Sequence, residues 1–329
     1  MDLDVVFLGT AGSSPTPRRS PPALLIRRGG YRLLLDCAEG TQRQLMRSVV
    51  GLPDLPDVFL THYHADHYLG LPGMLKTFAL RGREVPITIH GPRGLRELFV
   101  ALRRIFGKLT YPYELVELQP GDIVDRGDYR IATFGVAHGV PALGYALVEE
   151  ARPGRFDVAR SDALGVSAGP ERGRLQAGET IALTDGTVVR PDQVLGPARS
   201  GRTICVTGDT APSLGFLDLA ERADLLVHEA TFCDDERERA RETQHSTARE
   251  AAQVAAAAGA RMLALTHLSS RYFGPEVAKE AREVFPETVV PRDFDVVEIP
   301  FPERGAPQLV RAGALEPEPR PDAVQSAPE

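Results

Sequence analysis

Cysteine is scarce. The 329-residue chain has three, Cys37, Cys205 and Cys233, far apart and with no Cys-x-x-Cys among them. That excludes a disulfide framework and a thiolate zinc site, and it points to a reduced, cytoplasmic setting. No apolar run approaches the ~18 residues that a membrane span needs, so no membrane partner is expected. Met1-Asp2-Leu3-Asp4 lacks the basic start and apolar stretch of a secretory signal. An excess of positive charge is missing too: 38 Lys+Arg against 45 Asp+Glu leave a net charge of −7, which disfavours indiscriminate nucleic-acid binding.

The charge is unevenly spread. Residues 1–160 carry 20 basic against 17 acidic side chains (+3), and residues 161–329 carry 18 against 28 (−10). Arg93, Arg96, Arg103, Arg104 and Lys108 lie close together with one acid, Glu97, among them. Such segregation permits a polyanionic partner.

The composition, 43% hydrophobic and 25% charged, is that of an ordinary globular protein. Short apolar runs with strand character occur at Val5–Leu8, Ala23–Ile26, Tyr31–Leu35, Val58–Leu60, Ile87–Ile89, Tyr129–Val136 and Leu143–Val148, and again at Thr203–Val206, Leu225–Val227 and Met262–Leu265. Thr41–Val50 and Leu95–Phe106 space apolar residues three and four apart, and Ser246–Ala258 is rich in the strong helix former Ala. Early strands follow one another and later ones alternate with helices. This predicts an α/β fold with two sheets face to face and helices outside. Residues 150–202, rich in Gly, Pro and Arg, read as either a functional projection or a disordered loop. Residues 303–329, dominated by Pro, Ala, Glu and Arg, read as a flexible tail after a domain spanning 1–302.

The chemistry concentrates at the end of the Val58–Leu60 run, in His62-Tyr63-His64-Ala65-Asp66-His67. In extended chain His62 and His64 point to one side and can grip one ion, while Asp66 and His67 could face a second. Imidazole and carboxylate at low coordination number suit Zn²⁺. Six residues cannot enclose two metals, so strands ending in a lone ligand must complete the set. His138, Asp209 and His267 each close such a strand. A carboxylate can bridge two cations, which makes Asp209 the natural bridging candidate. Leu8-Gly9-Thr10-Ala11-Gly12-Ser13 follows a strand but lacks the Gly-Lys-Ser/Thr of a phosphate loop, so no nucleotide cofactor is expected.

In order and approximate spacing, these seven residues resemble the metallo-β-lactamase superfamily. His228-Glu229-Ala230-Thr231 and His245-Ser246-Thr247 narrow the likeness to its ribonuclease Z family, from about Val5 to Phe301. The resemblance implies an αββα four-layer sandwich with a projecting arm. It implies two Zn²⁺ per subunit, or another divalent metal such as Mn²⁺. His62, His64 and His138 would hold one ion and Asp66, His67 and His267 the other, with Asp209 between them. Asp66 would also orient the attacking hydroxide, and His245, oriented by Glu229, would assist the departing oxygen. The implied activity is endonucleolytic removal of 3′ trailers from precursor tRNA, leaving a 3′-hydroxyl. The implied assembly is a homodimer in which one subunit's arm serves tRNA at the partner's site. Residues 150–202 would be that arm, with Arg172 and Arg174 meeting RNA. Pro15-Thr16-Pro17-Arg18-Arg19-Ser20 matches the family's acceptor-end loop P-x-K-x-R-N at Pro15 and Arg19 only, which makes Arg19 a further candidate for substrate contact. A small-molecule hydrolase opening lactones or cyclic nucleotides on the same fold is the alternative. His90 and His228 read as structural.

Overall fold

The computed structural model describes residues 1–313; residues 314–329 lie outside the described residues. Two sheets face one another. One runs, in spatial order, Gln308–Val310, Val296–Glu298, Leu3–Gly9, Ala23–Arg28, Tyr31–Leu35, Asp57–Phe59, Ile87–Gly91 and Tyr113–Glu117. The other runs Thr288–Val289, Leu263–Thr266, Leu225–Glu229, Thr203–Val206, Leu143–Glu149, Tyr129–Gly135 and Ile123–Asp125. Successive side chains of a strand point to opposite faces, so a strand buried on both sides is apolar throughout. In Leu3–Gly9, Val5 and Phe7 enter the core between the sheets, where they meet Tyr145, Ile204 and Val227. Val6 and Leu8 point the other way, into a layer filled by Leu45, Leu75, Phe78 and Phe99 from the helices Thr41–Arg47, Leu71–Leu80 and Leu95–Phe106. The second sheet is covered by Ala248–Ala258 and Gly274–Arg282, whose Ala251, Ala255, Val277 and Ala281 lie on Leu226, Leu263 and Leu265. Small residues let that helix layer sit close. The result is the four-layer sandwich.

The segment 150–202 is not a loop. It forms the helices Val158–Ala163 and Pro170–Gln176 and a two-stranded hairpin, Ile181–Ala182 with Val188–Val189. Val166, Leu175, Ile181, Val189 and Val194 make a small core of its own. Its two ends are joined by Arg152 N–H to Arg199 O (2.7 Å) and Arg199 N–H to Arg152 O (2.9 Å).

The tail boundary is corrected. Residues 303–313 belong to the body: Gln308–Val310 pairs antiparallel with Val296–Glu298, and the Arg311 guanidinium and Ala312 N–H both donate to Asp295. A three-residue edge strand is too short to show periodicity among the surrounding polar residues. The rest of the predicted tail, 314–329, lies outside the described residues.

Candidate metal centre

The topology collects the motif residues at one edge. Tyr31–Leu35, Asp57–Phe59 and Ile87–Gly91 are parallel, so Asp36 and the run Thr61–His67 emerge together beyond their C-terminal ends. In the facing sheet Thr203–Val206, Leu225–Glu229 and Leu263–Thr266 are parallel too, which delivers Asp209, Thr231 and His267 to the corresponding edge. His138 arrives from the end of Tyr129–Gly135. Carboxyl ends of parallel strands are where α/β sheets hold their ligands. Asp36 (φ 57°) and His267 (φ 56°) are left-handed although neither is glycine, a strain of about 1–3 kcal/mol each that clusters at functional sites.

The predicted ligands converge in two groups. His62, His64, His138 and Asp209 each offer a ligand atom within 4.8 Å of the others, as do Asp66, His67 and His267. Asp209 Oδ2 stands between them, 3.8 Å from His62 Nε2, 3.4 Å from His67 Nε2 and 3.3 Å from His267 Nε2. His138 Nε2 faces His64 Nδ1 at 3.2 Å. Asp66 Oδ2 accepts from Ser13 N–H (3.0 Å) and lies 3.4 Å from His267 Nε2.

The donor set fits a divalent metal ion. His62 Nε2 and His67 Nε2 are buried without any hydrogen-bond partner, an arrangement that is costly unless something else occupies those lone pairs. Burial pushes the His62 imidazole down to about 2 and keeps it in the neutral form that ligates metal. Burial would raise the Asp209 carboxyl, but His267 and His67 outweigh it and hold the group ionised well below its ordinary range. Nitrogen and carboxylate oxygen donors without thiolate are the chemistry of hydrolytic divalent-metal sites.

Two buried carboxylates hold the imidazoles in place. Asp36 Oδ2 accepts from His67 Nδ1 (2.8 Å) and Thr61 Oγ1 (2.9 Å), and Thr61 Oγ1 lies 3.0 Å from His62 Nδ1. Glu229 Oε1 accepts from His245 Nδ1 (2.7 Å) and Thr210 N–H (2.9 Å). The His245 ring stands 5.4 Å from those of both His138 and His267, and its ligand atom lies within 4.8 Å of those of Asp209 and His267. Burial opposes protonation of His245, yet the charge and hydrogen bond of Glu229 prevail and raise it to about 9. Thr247 caps the following helix Ala248–Ala258 in a reciprocal box with Glu250, and Ser246 Oγ donates to Thr210 O at 2.7 Å.

The remaining candidate residues lie away from this cluster. Arg19 turns inward, donating to Thr10 Oγ1 (2.6 Å) and Pro291 O (2.9 Å), and Arg172 donates to Val166 O (2.8 Å) and Asp162. In the folded chain both guanidinium groups are thus engaged by neighbouring carbonyl and side-chain oxygens. Arg174 pairs with Glu179 at 2.8 Å but stays 54% exposed. His90 is buried on Phe59 and bonded to Asp57, and His228 Nδ1 lies 2.8 Å from Glu229 O. Sequence reasoning missed Asp36, Thr61, Thr210 and Ser13. Asp36 closes Leu33-Leu34-Leu35 just as Asp209 closes a buried strand, a signal present but unused.

The chain is similar to known proteins along most of its length. Residues 16–148 match the model of the metallo-beta-lactamase superfamily. A ribonuclease Z of Halobacterium salinarum is 48% identical over 307 residues, covering 92% of this chain and 99% of that protein. One from Gemmatimonas aurantiaca is 49% identical over 308 residues, covering 92% and 98%. The crystal structure of the short form of human tRNase Z superposes with a TM-score of 0.65 at 30% identity, covering 90% of this chain and 99% of that one.

Proposed function

The chain belongs to the ribonuclease Z family, and from that premise we propose that it is a zinc-dependent endoribonuclease that removes 3′ trailers from precursor tRNA and leaves a 3′-hydroxyl. The observation that carries this reading is the convergence of six imidazole and carboxylate side chains around Asp209 from both sheets. His62, His64 and His138 would hold one zinc ion and Asp66, His67 and His267 the other, with Asp209 shared. Bound there, the two ions supply Lewis-acid activation of water and neutralise charge gathering on the scissile phosphate.

The chain's own groups do the rest. Asp66, fixed by Ser13 N–H, orients the attacking water. His245 has its Nδ1 proton committed to Glu229, so its Nε2 is free to donate toward the departing ribose oxygen, help worth ~10²–10⁴-fold in rate. The segment 150–202, with exposed Arg155, Arg160 and Arg174, serves as the arm that grips the tRNA body by its backbone. A cytoplasmic homodimer follows from the same reading. Exposed Met46 and Leu80, on the neighbouring helices Thr41–Arg47 and Leu71–Leu80, are apolar side chains that such a pairing would cover.

Cleavage of a trailer-bearing tRNA, with and without a CCA end, tests the proposal directly. His64→Ala should abolish cleavage and lower zinc content together. Deleting the arm should cost tRNA cleavage but spare hydrolysis of a small phosphodiester. An arm-less enzyme as active on tRNA as the full chain would refute the assignment of the arm.

A further inference from the structure

The buried hydroxyl of Thr231 has no part in the chemistry described so far, yet it touches both halves of it. Thr231 Oγ1 lies 2.5 Å from Glu229 Oε2 and 2.8 Å from His267 Nδ1. Glu229 already receives the Thr231 N–H on Oε2 (3.1 Å), and His245 Nδ1 (2.7 Å) and Thr210 N–H (2.9 Å) on Oε1. A hydroxyl has one hydrogen to give. Given to the carboxylate, it leaves Thr231 Oγ1 able only to accept from His267. That requires the proton of His267 on Nδ1 and leaves the lone pair on Nε2, the nitrogen 3.3 Å from Asp209 Oδ2.

The other half of the centre repeats the device. Asp36 binds His67 directly and reaches His62 through the hydroxyl of Thr61, which lies 2.9 Å from Asp36 Oδ2 and 3.0 Å from His62 Nδ1. In each half a buried carboxylate orients one imidazole itself and a second through a threonine. We propose that Thr231 is a positioning residue: its hydroxyl links Glu229 to His267, fixing His267 with Nε2 toward the metal and tying that ligand to the same carboxylate that orients His245. One carboxylate thereby sets a metal ligand and a proton donor in fixed relation.

The inference rests on the ligand assignment above but not on the RNA substrate. Its test uses the full-length, zinc-loaded protein with Thr231→Val, Thr231→Ala and Thr231→Ser. Zinc affinity is read by competition with a chromophoric chelator, kcat and KM on bis(4-nitrophenyl) phosphate, and the thermal midpoint on metal-stripped protein. Loss of an outer partner of a ligating histidine typically costs 10–100-fold in metal affinity or activity. Thr231→Val and Thr231→Ala should each lose about that much affinity at one of two sites, with lower kcat at little-changed KM. Thr231→Ser should restore both quantities. Val and Ala variants that hold both zinc equivalents as tightly as the wild type overturn the proposal. A Ser variant no better than Ala also overturns it, because the side chain's methyl rather than its hydroxyl would then matter. His267→Ala separates the two layers of argument. If it keeps both equivalents, the ligand assignment fails; if it loses one while Thr231→Val loses none, only the role of Thr231 fails.

Discussion

The backbone of Gly12 passes against the ring of His267: a β-carbon at position 12 would stand 2.7 Å from His267 Nδ1 and 2.9 Å from Cε1. Gly12 N–H also donates to Leu268 O at 2.9 Å, so the loop cannot draw back without breaking a bond. The first loop of the chain is therefore a wall of the metal centre. Gly12→Ala should displace His267, remove about one zinc equivalent and reduce turnover at least tenfold, the usual scale for disturbing a ligand's surroundings. Metal analysis beside far-ultraviolet circular dichroism checks this. Unchanged metal content in a folded Gly12→Ala protein would count against the wall.

Asp36 orients two imidazoles at once, His67 directly and His62 through Thr61. Its left-handed backbone (φ 57°) is a conformation that Asn also tolerates, so Asp36→Asn changes the side chain without adding backbone strain. An amide offers one acceptor oxygen where the carboxylate has two, and here it would aim an NH₂ at groups that already donate. We expect zinc affinity to fall about 10–100-fold with secondary structure unchanged. Chelator competition decides, and wild-type affinity would show that Asp36 merely fills space.

The contrast between these supporting residues and the ligands shows what the sequence could reveal. His62 to His67 lie within six residues, so spacing alone brings them together. Asp209 and His267 were legible because each ends a buried apolar strand. Asp36 carries that signature too, but a carboxylate that binds imidazole hydrogens and one that binds metal look alike in sequence. Thr61 and Gly12 act through distances across the two sheets, which no local pattern records. The helix Leu71–Leu80 was hidden by Pro72 and Gly73, usually breakers, although proline is well tolerated in a helix's first turn. The strand Tyr113–Glu117 escaped notice because it is an edge strand with no fully buried residue. The small core of 150–202 draws Val166, Leu175, Ile181, Val189 and Val194 from irregular intervals, and irregular intervals carry no period.

Away from the centre, the pairing of Glu149 with Arg202 gives the fold a pH dependence. Arg202 Nε and Nη2 lie 2.7 and 2.8 Å from the Glu149 oxygens, both buried, and Arg28 adds a third, half-buried bond at 2.8 Å. Burial alone would raise the Glu149 carboxyl, but the bonds from Arg202 and Arg28 hold it below its ordinary value of 4.5. A depressed carboxylate stabilises the fold fully above its unfolded pKa, and that contribution disappears as pH falls through the lower folded value. Glu149→Gln leaves Arg202 buried without its counter-charge, a loss of about 3–5 kcal/mol at neutral pH. The gap in thermal midpoint between wild type and Glu149→Gln should be widest near pH 7 and narrow below about pH 4. A constant gap from pH 7 to pH 3 would show that the pair does not carry this dependence.

The root of the arm is held by Phe301 and by Glu303, the first residue of the predicted tail. Arg152 and Arg202 place their guanidinium carbons 3.4 and 4.0 Å from the centre of the Phe301 ring. Arg152 also donates twice to Glu303, at 3.0 Å each, and Arg199 donates to the same carboxylate at 3.2 Å. Since Arg152 and Arg199 are the two ends of the arm, Phe301 and Glu303 fix the direction in which it leaves the body. Cation–π contacts of this kind are worth about 0.5–2 kcal/mol, or roughly 2–30-fold in an equilibrium. Phe301→Leu combined with Glu303→Ala should free the root and raise KM for precursor tRNA within that range. Turnover of bis(4-nitrophenyl) phosphate, which needs no arm, should not change. Equal losses on both substrates would place the damage in the body of the fold, and no loss on tRNA would mean that the arm's direction is set elsewhere.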